Sequence, residues 1–384
     1  MLAIVLSGGG AKGAYEVGVW KALRKLHIKY QIVTGTSIGA LNGLMMAQNE
    51  FYKCLKLWKN INYDILYDNF KKIGNSKEMY LEYLNKIFDG GIDTKKIENI
   101  IEEHYKPNKL YNSKVSFGVV SYNLSTKKVV YSTKKNTRPD KLKKYILASA
   151  TCFPVFKPTK IGKDILVDGG YCDNLPINLA IDLGATEIIA VDLRALGLKK
   201  RIRNKDIKIT YISPNNKLDS FLMFESNVAK RMINLGYNDT LKKFGKLEGN
   251  LYSFKKGTLD NLYYKYQNKI NDICDKLNYV GNFRNYDRKR FYKIMEDILE
   301  VFEMKIDKIY NSYDINKVLI KKLDETEEIN FDKFTLNEAK KVLDRSIITK
   351  YIFLKLKKCD KINPIFTFFP KEYTAAIYLL AVGR

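Results

Sequence analysis

The chain opens with LAIVLSGGGAKGAYEVGVWKAL, Leu2–Leu23, and the reading of this stretch decides the fold. Leu2–Leu6 is a short apolar run of the kind that forms a buried strand. Three glycines, Gly8–Gly10, break it. From Lys12 to Leu26 the spacing turns helical, with Tyr15, Val19, Ala22, Leu23 and Leu26 on one face. A strand that passes through glycines into a helix is a unit of an α/β fold. The bare amides at its turn are set to meet an anion, either a nucleotide phosphate or a reaction's oxyanion.

The phosphate readings fail on their other requirements. Gly8, Gly10 and Gly13 fit G-x-G-x-x-G, but a dinucleotide fold also needs an acidic residue about 20 residues on, at the end of the next strand. That region reads HIKYQIVTG, and after Glu16 the next carboxylate is Glu50. A Walker A loop needs Lys after the last glycine, whereas Lys12 precedes Gly13.

The second strand, Ile32–Thr34, supplies another chemistry. It turns at GTSIG, Gly35–Gly39, into an apolar helix over Ala40–Ala47, and sets Ser37 between two glycines. A serine at a sharp strand-to-helix turn has strained backbone angles, tolerates only small neighbours and projects its hydroxyl from the sheet edge. The helix end favours developing negative charge. A histidine base is not available by position. The chain has two histidines, His27 and His104, and most of the sheet lies beyond both. The usual chain order in this setting is nucleophile, acid, histidine. Asp168 is the better partner. It ends the strand Ile165–Val167 and precedes Gly169 and Gly170, where it would lie at a parallel strand's C-terminal edge. On these residues alone an ordinary Asp-Gly turn explains it equally well.

Elsewhere the pattern is α/β up to about residue 245. Residues 51–112 read as mostly helical, either walls or a lid of a ligand channel or plain packing on the sheet. Val115–Tyr122 and Lys128–Ser132 read as a hairpin around NLST, and Lys141–Ala150 as a helix. Asn174 is placed to cap a helix with Pro176 in its first turn, Gly184 closes that helix, and Glu187–Leu193 is another buried strand. Strands separated by helices predict a mostly parallel sheet covered on both faces. Beyond residue 245, Leu259, Leu262, Tyr263, Tyr266, Ile270, Ile273 and Leu277 recur at three and four, as do Phe291, Ile294, Ile298, Val301, Phe302, Ile306 and Ile309. Thr335–Glu338 reads as a capping box. The expected division is a catalytic domain over 1–245 and a mostly helical region over 246–384.

The 384 residues carry a net charge of +25. It is spread: 31 Lys/Arg against 18 Asp/Glu in residues 1–200, and 36 against 24 in 201–384. Nucleic-acid binders gather their cations on one element, so no nucleic-acid partner is expected. A diffuse positive field suits peripheral contact with an anionic membrane, though overuse of lysine alone accounts for it as well. No signal peptide is read, and the longest uncharged run, Tyr30–Asn49, is too polar for a membrane span. Five cysteines without metal spacing suit reduced thiols in a cytoplasmic protein.

Taken in order, SGGGAKGAYEVGV (Ser7–Val19), GTSIG (Gly35–Gly39), ASATCFPVFKP (Ala148–Pro158) and VDGGYCDNLP (Val167–Pro176) resemble the signature blocks of the patatin-like phospholipase family, over roughly residues 1–240. The resemblance implies a three-layer α/β/α fold with a Ser–Asp dyad and no histidine. It assigns Ser37 as nucleophile and Asp168 as base. It sets Gly8, Gly9, Gly10 and Lys12 in the oxyanion loop, with Gly13, Gly35, Gly39, Gly169 and Gly170 completing the motifs. The implied activity is hydrolysis of fatty-acyl esters, of the phospholipase A or lysophospholipase type, through an acyl-enzyme and without metal or cofactor. The implied substrate is a phospholipid or another acyl-ester lipid. Ser7 departs from the acid that plant members carry before the glycines. A silent lipid- or protein-binding module and an acyltransferase are the alternatives. An aspartate base further predicts a desolvated carboxyl with a raised pKa.

Overall fold

The computed structural model describes residues 1–66, 91–332, 335–342 and 344–383. The chain forms two compact units, Met1–Lys243 and Phe244–Arg384.

In the first unit, β1 (Leu2–Leu6) lies between β2 (Ile32–Thr36) and β7 (Glu187–Val191), parallel to both. β3 (Ser116–Asn123) extends the sheet beside β2, and β8 (Lys208–Ile212) beside β7, again parallel. Two further strands run the other way, and a third, antiparallel to one of these two, runs with the parallel set again. β4 (Lys128–Thr133) forms the expected hairpin with β3, while β6 (Asp164–Asp168) pairs antiparallel with both β3 and β5 (Thr159–Ile161). The sheet is therefore mostly parallel, with eight strands.

Both faces of the central strands are buried, which is why β1 reads as a continuous apolar run rather than an alternating one. Ala3 and Val5 join Ile32, Ile188 and Ala190 in one core layer, covered by α8 (Ile177–Asp182). The opposite face is covered by α2 (Ile38–Ala47). A methyl group placed on its Gly43 would come within 3.1 Å of Val33 and 3.3 Å of Phe117. One placed on Gly118 of β3 would meet Leu179 of α8 at 3.0 Å, on the other side of the sheet. These contacts define the three layers. Each buried aliphatic side chain contributes about 1.5–3 kcal/mol. α1 (Gly13–Lys25) packs along α9 (Ser226–Lys243), where the Tyr15 hydroxyl donates to Asp239 at 2.9 Å.

The segment 51–112 holds α3 (Phe51–Lys59), α4 (Tyr63–Leu66), α5 (Lys95–His104) and α6 (Pro107–Asn112), and α7 (Pro139–Ala150) follows the hairpin. Residues 67–90 of the expected helical stretch lie outside the described residues. Two expectations need correction. Asn174 does not cap α8, because Asn174 and Leu175 form a bend ahead of the helix and Pro176 takes the capping position. Asp168 ends a strand antiparallel to β3, not a parallel one, because β6 enters from the β5 hairpin at the far end of the sheet. Gly184 follows the end of α8 with φ +92°, as a helix-terminating glycine should.

The second unit contains α10 (Thr258–Lys276), α11 (Arg288–Val301), α12 (Ser312–Glu325), α13 (Leu336–Lys341), α14 (Arg345–Lys358) and α15 (Pro370–Val382). It also holds a small sheet that the helical periodicity does not announce: β9 (Leu247–Glu248), β10 (Ser253–Lys255) and β11 (Ile309–Tyr310). Ile309 thus belongs to a strand. The stripe residues Leu259, Leu262, Tyr266, Ile270, Phe291, Ile294 and Ile298 are core. So are Ala375–Leu379, and α15 is apolar around most of its circumference because other helices surround it. The capping box forms. The Thr335 amide donates to Glu338 Oε2 at 2.8 Å, and the Glu338 amide donates to Thr335 Oγ1 at 3.4 Å.

Candidate active site

The register of β3 brings Ser37 and Asp168 together. Over Gly118–Val120, β3 pairs with β4 on one edge and β2 on the other. Over Ser121–Asn123 it still pairs with β4, so β6 must occupy the edge that β2 has left. β2 and β6 lie end to end on one edge and run toward each other. Thr36 stands opposite Val120 and Asp168 opposite Ser121. The residue after Thr36 is Ser37.

Ser37 has φ +57° and ψ −128°, a conformation L-residues rarely adopt. The turn is so tight that a methyl group on Gly35 would lie 2.1 Å from the Gly39 carbonyl oxygen. One on Gly39 would lie 2.7 Å from the oxygens of Leu6 and Ser7. Only glycine fits at either place. Several hydrogen bonds hold the strain. The Ser37 amide donates to Ser149 Oγ of α7 at 2.9 Å, Thr36 Oγ1 donates to the Asp173 carbonyl at 2.8 Å, and Thr34 Oγ1 donates to that of Pro176 at 3.1 Å. Behind the turn, Asn42 of α2 donates to the Gly13 carbonyl at 3.0 Å and to Glu16 at 2.8 Å, and accepts from Trp58 at 2.9 Å. Burial pushes the Glu16 carboxyl well above its ordinary range.

Asp168 is buried. Burial raises its pKa to about 6, against the opposing effect of hydrogen bonds from the Ser37 hydroxyl and the Gly170 amide, the latter 2.7 Å long. This is the desolvated carboxyl that an aspartate base calls for. Cys152 is nearby but does not compete as a nucleophile. Burial and the Asp168 charge push its thiol up to about 12. His27 and His104 do not line the site.

The glycine loop lies beside Ser37. The Gly8 amide donates to the Asn174 carbonyl at 3.1 Å and the Lys12 amide to that of Gly9 at 3.2 Å. Among the described residues, the Gly9 and Gly10 amides have no acceptor. Gly10 has φ +56°, and a methyl group there would strike the Phe221 carbonyl oxygen at 2.3 Å. Of the four loop residues, Gly9, Gly10 and Lys12 line the cavity and Gly8 does not. The Lys12 ammonium is partly buried and faces Lys217, and both effects lower its pKa.

These groups open on a cavity of about 940 Å³ with mostly apolar walls. Ile97 and Ile100 of α5 contribute to it, so the 51–112 segment does supply part of the wall. Phe156, Leu218, Leu222 and Phe224 supply more. Two functional positions escape the sequence reading. Ser149 lies inside the ASATCFPVFKP block, but nothing local marks it as the support of Ser37. Asn174 links three segments: its carbonyl holds Gly8, its amide donates to the Leu198 carbonyl at 2.6 Å, and its side chain donates to that of Leu196 at 3.3 Å.

A strained serine elbow, a buried carboxyl facing it and unpaired loop amides on one apolar cavity define an α/β domain of the serine-elbow type. Residues 4–181 match the family model of the patatin-like phospholipases. Patatin-like phospholipase domain-containing protein 7 of Rattus norvegicus is 29% identical over 195 residues, covering 50% of this chain and 13% of that protein. Domain-containing protein 6 of Homo sapiens is 27% identical over 199 residues, with coverages of 50% and 13%. A lysophospholipase of Aspergillus terreus is 29% identical over 201 residues, with coverages of 50% and 12%. The chain therefore spans a small part of each curated relative. Among solved structures, VipD from Legionella pneumophila aligns over 99% of this chain and 90% of that one, with a TM-score of 0.43 and 14% identity.

Proposed function

We propose that the chain is a lipid acyl hydrolase that works through a Ser37–Asp168 dyad. The observation that carries this reading is the end-to-end placement of β2 and β6, which turns the Ser37 hydroxyl onto a buried carboxyl. Asp168 takes the hydroxyl proton as Ser37 attacks the ester carbonyl, and the leaving alcohol takes that proton as the acyl-enzyme forms. Water, deprotonated by the same carboxylate, then releases the fatty acid. The Gly9 and Gly10 amides donate to the oxyanion, and each such donor is worth about 10²–10³ in rate. Gly8 and Lys12 shape the loop through their backbone bonds. The apolar cavity takes the acyl chain. The names of the relatives, phospholipase and lysophospholipase, support a phospholipid or lysophospholipid as substrate.

Release of fatty acid from phospholipid vesicles and from a soluble short-chain ester, compared between wild type and Ser37→Ala, tests the proposal. Activity in wild type that is lost in the variant is expected. Equal activity in both removes Ser37 as nucleophile. Transfer of the acyl group to an added alcohol in preference to water would make the enzyme an acyltransferase.

A further inference from the structure

The loop between β7 and β8 is poorly suited to water. It reads RALGLKKRIRNK, Arg194–Lys205. Leu196 is 94% exposed and Leu198 65% exposed, and both line the cavity. Tyr171 and Phe221, also cavity-lining, are exposed large hydrophobics as well. Apolar groups gathered at the rim of an apolar cavity mark an interaction surface.

The same loop carries six cations and no carboxylate between Asp192 and Asp206. Lys199 is paired with Asp192 at 2.6 Å and Arg203 with Asp182 at 2.5 Å. Lys200 lies over the Tyr131 ring and acts on the Asp173 carboxyl, whereas Arg194, Arg201 and Lys205 have no carboxylate partner among the described residues, and neither has Lys217 on the cavity wall. The diffuse net charge gives no location for a partner. This loop does.

We infer that Arg194–Lys205 is a membrane-docking loop, which inserts Leu196 and Leu198 among lipid chains while its cations engage an anionic bilayer surface. Nucleic acid would use the cations but gives exposed leucines no apolar medium. A bilayer uses both, and its acyl chains match the cavity that the leucines border. The loop is also joined to the candidate site. The Leu198 amide donates to the Gly170 carbonyl at 3.0 Å, and the Asn174 backbone bonds both Leu198 and Gly8, its amide donating to the Leu198 carbonyl and its carbonyl accepting from the Gly8 amide. A docked loop thus sets the mouth of the cavity on the lipid, so that an acyl chain enters without crossing water. That consequence rests on the hydrolase reading; the docking itself does not need turnover.

The test uses the full chain carrying Ser37→Ala, so that vesicles stay intact. Sedimentation with phosphatidylglycerol-containing vesicles should exceed that with pure phosphatidylcholine by at least about tenfold in affinity, given the number of unpaired cations. Arg201→Glu with Lys205→Glu should reduce binding to the anionic vesicles at least about tenfold. In the otherwise wild-type chain, the same pair should leave soluble-ester turnover unchanged. Leu196→Trp should give an indole whose emission shifts to the blue on vesicles and is quenched by brominated acyl chains. Wild-type affinity in the charge-reversed pair, equal binding to neutral vesicles, or an unquenched indole on bound vesicles would overturn the proposal. Vesicle binding without soluble-ester turnover in wild type would leave the docking loop standing and remove the hydrolase reading instead.

Discussion

Ser37 follows the end of β2 and Asp168 is the last residue of β6, and the two strands meet head to head on one edge of β3, with Thr36 opposite Val120 and Asp168 opposite Ser121. This single register relation aligns a hydroxyl with a carboxyl that are 131 positions apart in the chain. On the proposed mechanism no histidine is required: the sheet itself brings the carboxyl to the hydroxyl, and burial raises its pKa above that of an exposed aspartate.

The pH profile follows from the Asp168 pKa of about 6. The base must be ionised, so kcat/KM for a soluble ester should be level above about pH 7 and fall with unit slope below 6. Stopped-flow or pH-stat assays across pH 4–9 read this directly. A level profile down to pH 4.5 would exclude Asp168 as the base.

Asp168→Asn should separate activity from stability. Turnover is lost with the base. In wild type the folded pKa lies above the usual 3.8, so the native state holds its proton more tightly than the unfolded chain. That linkage favours folding below pH 3.8 and is lost as pH rises through about 6. The displacement corresponds to ~3 kcal/mol. The variant should therefore be more stable than wild type at pH 8, with a gain that shrinks toward zero by pH 4, as read by urea unfolding.

Gly10→Ala combines a positive φ with a clash against the Phe221 carbonyl. The loop must move, and the Gly9 and Gly10 amides move with it. A fall of about 10²–10³ in kcat is expected, with KM for a short ester little changed. Unaltered kcat would show that these amides do not serve the oxyanion.

Asn42→Ala tests the support behind the elbow. It leaves the Gly13 carbonyl, Glu16 and the Trp58 indole without their partner in a buried setting. Each stranded group costs about 1–3 kcal/mol, so a total loss of ~3 kcal/mol or more is expected in chemical denaturation. Glu16→Gln should cost little at pH 7, because burial already favours the uncharged form of Glu16.

The α/β frame was legible because its signals are local. An apolar run, a glycine turn and a helical stripe need no knowledge of distant residues, and Leu2–Leu6, Gly35–Gly39 and Lys12–Leu26 carry them openly. What stayed hidden depends on long-range pairing. The direction of β6 follows from its hairpin with β5, not from the residues around Asp168. Asn174 looks like a cap by spacing, yet its contacts are with Gly8, Leu196 and Leu198, which only the fold brings near. The small sheet β9–β11 is built from strands of two and three residues, too short to show a period. Ser149 reads as one more helical residue until the Ser37 amide is placed against it.

The central claim is that Ser37 is an activated nucleophile facing Asp168. The most direct measurement is stoichiometric labelling with a fluorophosphonate ester at pH 8, with the modified peptide located by mass spectrometry. The account predicts one phosphonyl group per chain, on Ser37, and labelling at least about 10²-fold slower in Asp168→Asn, within the usual range for loss of general base catalysis. Labelling at another residue, or equal rates in the two proteins, would contradict it.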